Sequence, residues 1–271
     1  MERHELADIT RESADAGAAV AMDLFRTALA VETKDGKTDV VTRADHEAHD
    51  AVVARIEDAV PGAAIYGEEG RTVETIPTEG VVWVIDPIDG TNNYVRGNRR
   101  WATSVVCLLD GQPVAAANVL PAMGDSYFGT PEGVTRNGDP VSVSDRSDPE
   151  LFEVVPTIWW GFDRRDEYGL ATSAIVSRFG DLRRPGSAQA SLSLLAAGTV
   201  DGVITNVQTN PWDTIAGAAM VEWAGGTVTD LDGEDWTYES RGLVASNGRA
   251  HEEVLAATQE IDGSTTTVEK E

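Results

Sequence analysis

Cysteine and lysine are nearly missing from this chain of 271 residues. Cys107 is the one cysteine, so neither an internal disulfide nor a cysteine-built metal site can form. So thiol-poor a chain suits a reducing cytoplasm. Lysine occurs only at Lys34, Lys37 and Lys270, and the other 18 of the 21 basic residues are arginine. No apolar run approaches the ~18 residues that a membrane-spanning helix needs. The first residues, Met1 to Glu5, lack the basic-then-apolar pattern of a secretory signal. No Gly-x-x-x-x-Gly-Lys-Ser/Thr loop occurs, which excludes a P-loop nucleotide site. A cytoplasmic protein without membrane partners is the expectation.

Acid is abundant. Forty-six Asp and Glu face 21 Lys and Arg, a net charge of −25, and the acids are spread along the whole chain. Such a surface repels nucleic acid and anionic lipid. It also strains the compact state unless salt screens the repulsion. The composition therefore reads as adaptation to a high-salt cytoplasm.

Apolar residues at Leu6, Ile9, Val20, Leu24 and Leu29 predict a helix over 6–29. A second is predicted over 43–60, with Thr42 as N-cap, Asp45 in a capping-box position and Pro61-Gly62 as the stop. Strands are predicted at 81–85, 104–109, 114–120 and 126–129, with a hairpin turn at Gly111. Residues 140–150 read as a connector. Beyond it, strands near 154–158, 200–205, 226–230 and 243–246 alternate with helices near 166–179, 187–197, 211–224 and 249–260. The chain thus divides into an N-terminal α+β half, 1–140, and a C-terminal α/β half, 150–260. The tail, 262–271, is expected to be disordered.

Three acidic clusters carry the chemistry: Gly67-Glu68-Glu69-Gly70, the stretch from Trp83 to Asn92, and Pro211-Trp212-Asp213. In the second, an apolar strand ends in Asp86, and Asp89 and Gly90-Thr91 follow. Carboxylates at a strand end suit hard divalent cations, and N–H groups at a helix start suit phosphate. Each cluster alone has a plainer reading. Asp-Pro-x-Asp-Gly is a common turn, paired glutamates are commonly a solvated loop, and an acid in a first helical turn gains dipole energy without catalysis. His46 and His49, three apart on a helix, have no third zinc ligand nearby in sequence. Cys107 lies in an apolar strand and reads as core.

Taken together, the Trp-x-Ile-Asp-Pro-Ile-Asp-Gly-Thr run at 83–91, Glu68-Glu69 upstream, Trp212-Asp213 and the later Gly225-Gly226 resemble the inositol monophosphatase family, within the fructose-1,6-bisphosphatase-like superfamily. Lys34, Asp39-Val40-Val41-Thr42 and Asp45 are similar to the family's Lys-x4-Asp-x-Val-Thr-x-x-Asp stretch, and the acidic composition resembles haloarchaeal members. The resemblance covers about residues 6–260. It implies a layered αβαβα sandwich of the sugar phosphatase type and a magnesium-dependent phosphatase that uses metal-activated water.

By residue, it implies that Glu68, Asp86 and the Ile88 carbonyl hold one Mg²⁺, while Asp86, Asp89 and Asp213 hold a second. Glu68 also touches a third ion and, with Thr91, orients the water. Glu68, Thr91 and Asp86 are thus the catalytic set. Gly90, Thr91, Asp89, Asp213 and Ser187 meet the substrate. Glu69 is a supporting residue, and the role near the phosphate is open between Lys34 and Lys37. Arg183-Arg184-Pro185-Gly186-Ser187-Ala188 resembles the family's segment beside the substrate, although both arginines have surface acids as alternative partners.

Thr205-Asn206 stands where animal members often carry a glutamate, which removes a grip on an inositol hydroxyl. Ile215 stands where a smaller residue is common. The implied partner is a small phosphate ester of inositol-1-phosphate type. Fructose 1,6-bisphosphate, alone or as a dual activity, is the first alternative, a 3′-phosphoadenosine nucleotidase the second, and a non-catalytic metal- and phosphate-binding regulator the third. A homodimer is the oligomeric state left open.

Overall fold

The computed structural model describes residues 1–27, 31–33, 40–158 and 160–263. Helix α1 (Arg3–Leu24) leads through two short strands, β1 (Val31–Thr33) and β2 (Val40–Thr42), into α2 (Arg43–Ala59). The predicted capping box forms: the Thr42 hydroxyl accepts from Ala44 N, and Asp45 accepts from Thr42 N at 2.8 Å. Helix α1 is shorter than the predicted 6–29. Phe25 turns extended and Arg26 adopts φ +62°, which ends the helix at Leu24. Lys34, Lys37 and Asp39 lie outside the described residues.

Seven strands follow: β3 (Ala64–Gly67), β4 (Val81–Asp89), β5 (Ala102–Leu109), β6 (Gln112–Leu120), β7 (Asp125–Thr130), β8 (Gly133–Arg136) and β9 (Asp139–Val141). They form one sheet in chain order. The short helix α3 (Thr91–Val95) leaves the end of β4. At the β5–β6 hairpin, Asp110 and Gly111 both have positive φ, +52° and +76°, the geometry of a tight two-residue turn. The sequence reading missed β3, β8 and β9, and part of its connector is strand β9. It also ended β4 at Ile85, whereas the strand runs to Asp89. A register shift between Asp86 and Asp89 makes room for Pro87, which has no N–H to give the ladder.

The rest comprises β10 (Glu153–Pro156), α4 (Arg165–Arg178), β11 (Asp181–Leu182), α5 (Ala188–Ala196), β12 (Gly202–Gln208), α6 (Pro211–Trp223), β13 (Thr227–Thr229), β14 (Arg241–Ser246) and α7 (His251–Gly263). The second sheet has the order β11-β10-β12-β14-β13. Asp262 and Gly263, expected in the tail, belong to the last helix, and residues 264–271 lie outside the described residues.

Side-chain alternation sorts these elements into layers. On β4, Trp83 and Ile85 face α1 and α2, packing with Leu6, Val52 and Ile56. Val82 and Val84 face the other way, onto Leu192 of α5 and Ile215 and Met220 of α6. The same cluster continues into Val155, Val203 and Leu243 of the second sheet. Val154, Ile204 and Val244 point beyond it, onto Ala171 and Ile175 of α4 and Val254 of α7. The result is the expected αβαβα sandwich. Burying each such large apolar side chain is worth about 1.5–3 kcal/mol, so both faces of β4 fix its position before any ligand is considered.

Candidate metal and phosphate site

The buried strand β4 delivers its last residues to the sheet end, where α3, α5 and α6 begin. Asp86 is 1% exposed and Asp89 is 6% exposed, while Asp213, in the first turn of α6, is half-buried. One carboxylate oxygen from each of the three lies within 4.8 Å of the others. Residues 124 positions apart in sequence, Asp89 and Asp213, thus share one charge cluster.

Local bonds orient each carboxylate. Ile88 N donates to Asp86 Oδ1 at 3.1 Å. Asp89 accepts from the Ser187 hydroxyl, from Ala188 N at 3.2 Å and from Gln189 N at 2.6 Å, so it seals the start of α5. Asn210 Nδ2 donates to Asp213 Oδ2 at 3.1 Å. Glu68 follows directly on the neighbouring strand β3, its N–H donating to Ile85 O at 3.2 Å.

Bringing these acids together under burial raises their proton affinity. Burial pushes the Asp86 carboxyl well above the usual range, and Glu68, Asp89, Asp213 and Asp45 add repulsion. Asp213 is pushed up to about 8 by burial, then by Asp89 and Glu68. Asp89 is raised by burial, against which the Ser187 hydroxyl and the α5 N–H groups work. Such a cluster is relieved by protons or by a cation. Its donors are all carboxylate oxygens, the set a hard divalent cation prefers, with no His or Cys to favour zinc. The residues therefore fit a magnesium-type ion. Among the described residues, His46 and His49 join no such cluster; His46 Nδ1 instead lies 3.4 Å from the buried Glu69 carboxylate.

Gly90 explains the glycine after Asp89. Its φ is +92°, and a Cβ there would lie 3.1 Å from Ser187 Cβ and 3.2 Å from the Arg100 and Gly186 carbonyl oxygens. The Thr91 hydroxyl has two acceptors for its single proton, Ile88 O at 3.0 Å and Asp45 Oδ1 at 3.3 Å. Asp45 caps α2 and also belongs to the stretch that resembles the family's Lys-x4-Asp-x-Val-Thr-x-x-Asp; its contact with Thr91 spans 46 positions, which no local pattern shows.

Ser187 is 3% exposed, donating to Asp89 and capping α5 through Ala190 N at 3.0 Å. Arg183 pairs with Glu153 at 2.8 Å and with Asp181, the surface-acid alternative. Arg184 instead reaches the Ile158 carbonyl at 2.9 Å. Asn206 is buried, accepting from Trp160 Nε1 at 2.8 Å and donating to Glu167 at 2.6 Å. Ile215 and Cys107 are core.

Comparison with known proteins fits this arrangement. A model of the inositol monophosphatase family matches residues 2–263. The inositol-1-monophosphatase of Bacillus subtilis is 31% identical over 245 residues, covering 89% of this chain and 91% of that protein. A Thermotoga maritima protein named fructose-1,6-bisphosphatase/inositol-1-monophosphatase is 32% identical, covering 85% and 87%. The solved structure of a Thermotoga maritima IMPase superposes with a TM-score of 0.86 at 29% identity, covering 93% of this chain and 96% of that one. The chain belongs to the inositol monophosphatase family and is a phosphatase acting on phosphate monoesters.

Proposed function

We propose that this enzyme is magnesium-dependent and hydrolyses a small polyol or sugar phosphate of inositol-1-phosphate type. The observation that carries the reading is the triad of buried Asp86 and Asp89 with half-buried Asp213, and Glu68 beside it. In this reading Glu68, Asp86 and the Ile88 carbonyl would hold one ion, Asp86, Asp89 and Asp213 would hold a second, and Glu68 would also be available to a third. Bound magnesium polarises phosphoryl oxygens and makes coordinated water acidic.

The chain's own groups do the rest. Gly90 and Thr91 offer N–H groups to the phosphate at the start of α3. The Thr91 hydroxyl holds the attacking water, and Asp45 Oδ1 takes up the proton that Thr91 relays. Glu68, just after β3, aligns the same water. Asp213, at the rim, faces the leaving hydroxyl. Ser187 works through Asp89, whose oxygen it holds. Positioning and charge account for most of the catalysis.

Cleavage of fructose 1,6-bisphosphate by the same site is the second reading. It is favoured by a cavity of about 410 Å³ lined by Arg26, Arg99 and Arg100, which could receive a second phosphate. The backbone of Arg100 adjoins Gly90. The −25 net charge supports a reading of salt adaptation, and the single buried thiol is compatible with a reducing cytoplasm. The decisive experiment is phosphate release from a panel holding inositol 1-phosphate, fructose 1,6-bisphosphate and 3′-phosphoadenosine compounds, with and without Mg²⁺. Activity on the first that disappears on chelation and in Asp86→Asn is expected; metal-independent turnover would sink the reading.

A further inference from the structure

Outside the carboxylates themselves, one buried side chain ties two of them together. Gln189 is fully buried in the first turn of α5. Its backbone N–H holds Asp89 Oδ2 at 2.6 Å. Its side chain reaches across to α6, where Nε2 donates to the Trp212 carbonyl at 2.8 Å, one residue before Asp213. Its Oε1 accepts from Gly217 N, one turn further along α6, at 2.9 Å. Oε1 also accepts from Asn118 Nδ2 of β6 at 3.0 Å, and Asn118 in turn reaches Ser193 Oγ at 3.0 Å. Every polar atom of the Gln189 amide end is thus engaged by an element that borders the site. The close approach is built in: a Cβ on Gly217 would lie 2.4 Å from Leu192 Cβ and 2.9 Å from Gln189 Oε1.

We propose that Gln189 is a positioning residue that sets the Asp89–Asp213 spacing, and thereby the fit of the carboxylate cluster to a small divalent cation. Asp89 and Asp213 repel each other, and they are carried on different elements, Asp89 at the end of β4 and Asp213 in the first turn of α6. The amide clamps α6 at two points while its own main chain grips Asp89, so the two carboxylates cannot splay without breaking buried hydrogen bonds. A rigid oxygen cage favours the smaller Mg²⁺, whereas a looser one admits Ca²⁺. Groups that hold ligands in this way typically change metal affinity 10–100-fold when lost. The inference rests on the metal assignment proposed above.

The test is calorimetric titration of the metal-stripped protein with MnCl₂, MgCl₂ and CaCl₂, with folding verified by circular dichroism. Gln189→Met keeps the volume and the main-chain bonds to Asp89 but removes both links to α6. Gln189→Asn keeps an amide too short to span the gap, and serves if the methionine variant does not fold. Both should weaken Mn²⁺ and Mg²⁺ binding about tenfold and shift the Mg²⁺/Ca²⁺ preference toward Ca²⁺. Ser193→Ala removes a bond of the same network without touching α6 and should leave both quantities unchanged. Wild-type affinity and selectivity in a folded Gln189 variant, while Asp213→Asn loses binding, would overturn the clamp but keep the metal site. Unchanged binding in Asp213→Asn would overturn both.

Discussion

Replacing Asp213 by Asn should make the metal-free protein more stable while weakening its response to magnesium. The Asp213 carboxyl is pushed from 3.8 in the unfolded chain to about 8 in the fold, by burial, Asp89 and Glu68. A raised carboxyl contributes stability that is complete below the unfolded pKa and is lost as pH rises through about 8. At 1.36 kcal/mol per pH unit the undiscounted loss is about 6 kcal/mol. Asp213 is half-buried and shares its shift with its neighbours, so solvent screening reduces this to roughly 2–3 kcal/mol. Two terms oppose it. The acid sits in the first turn of α6, worth about 0.3–1 kcal/mol from the helix dipole, and it accepts from Asn210 Nδ2. The net gain for Asn is about 2 kcal/mol, or roughly 5 °C in Tm for a chain of this size. The assay is a thermal melt of both proteins in EDTA at pH 5 and pH 8 at fixed high salt, then in Mg²⁺. Asp213→Asn should melt higher at pH 8, differ little at pH 5, and gain less from Mg²⁺ than the parent. A lower Tm for Asp213→Asn in EDTA at pH 8 would refute the reasoning, because the carboxylate would then be a capping group and not a repelled one.

Thr91→Ala should lower kcat about 10²-fold with little change in KM, because the backbone N–H remains for the phosphate; steady-state kinetics in which only KM rises would remove the water-holding role. Asp45→Asn should behave similarly, and the double variant with Thr91→Ala should be little worse than either single one, since the two share one hydrogen bond. Gly90→Ala should lower Tm and turnover together, as φ +92° and the 3.1 Å approach to Ser187 strain any Cβ by about 1–3 kcal/mol. At saturating Mg²⁺, Tm should rise with KCl, because the screening length falls from about 30 Å at 0.01 M to about 3 Å at 1 M; a flat or falling midpoint would remove the salt-adaptation reading of the −25 charge.

The legible parts of this site were local. Apolar residues from Val81 to Ile85 followed by Asp86 and Asp89 declare a strand with acids at its end, and the Thr42–Asp45 cap forms as read. What could not be read depends on tertiary approach. The hydroxyl of Ser187 and the carboxylate of Asp89 meet across 98 positions, so the serine's role as a holder of Asp89 is invisible along the chain. Asp45 had a sufficient local explanation as a cap, which concealed its contact with Thr91. Strands β8 and β9 were missed because they are short and largely polar; β9 is the sheet edge and β8 lies next to it. The end of α1 was overextended because Leu29 kept the helical period while the backbone had already turned at Phe25 and Arg26.

The means by which the fold tolerates this cluster also bears on its chemistry. Among the described residues no Lys or Arg pairs with Asp86, Asp89 or Asp213; the groups that hydrogen-bond them are backbone N–H groups, a serine and an asparagine. A guanidinium there would occupy carboxylate lone pairs bidentately and neutralise the charge outright. Helix starts act differently. The first turns of α5 and α6 bring partial positive charge to Asp89 and Asp213; Asp89 accepts three hydrogen bonds there and Asp213 one from Asn210, without a formal positive charge at either. The free lone pairs, chiefly on Asp86 and Asp213, and most of the negative charge are left over, in a pocket where Coulomb forces are strong. In a chain with 18 arginines, excluding every one of them from the triad preserves both the charge and the oxygen donors that a divalent cation needs.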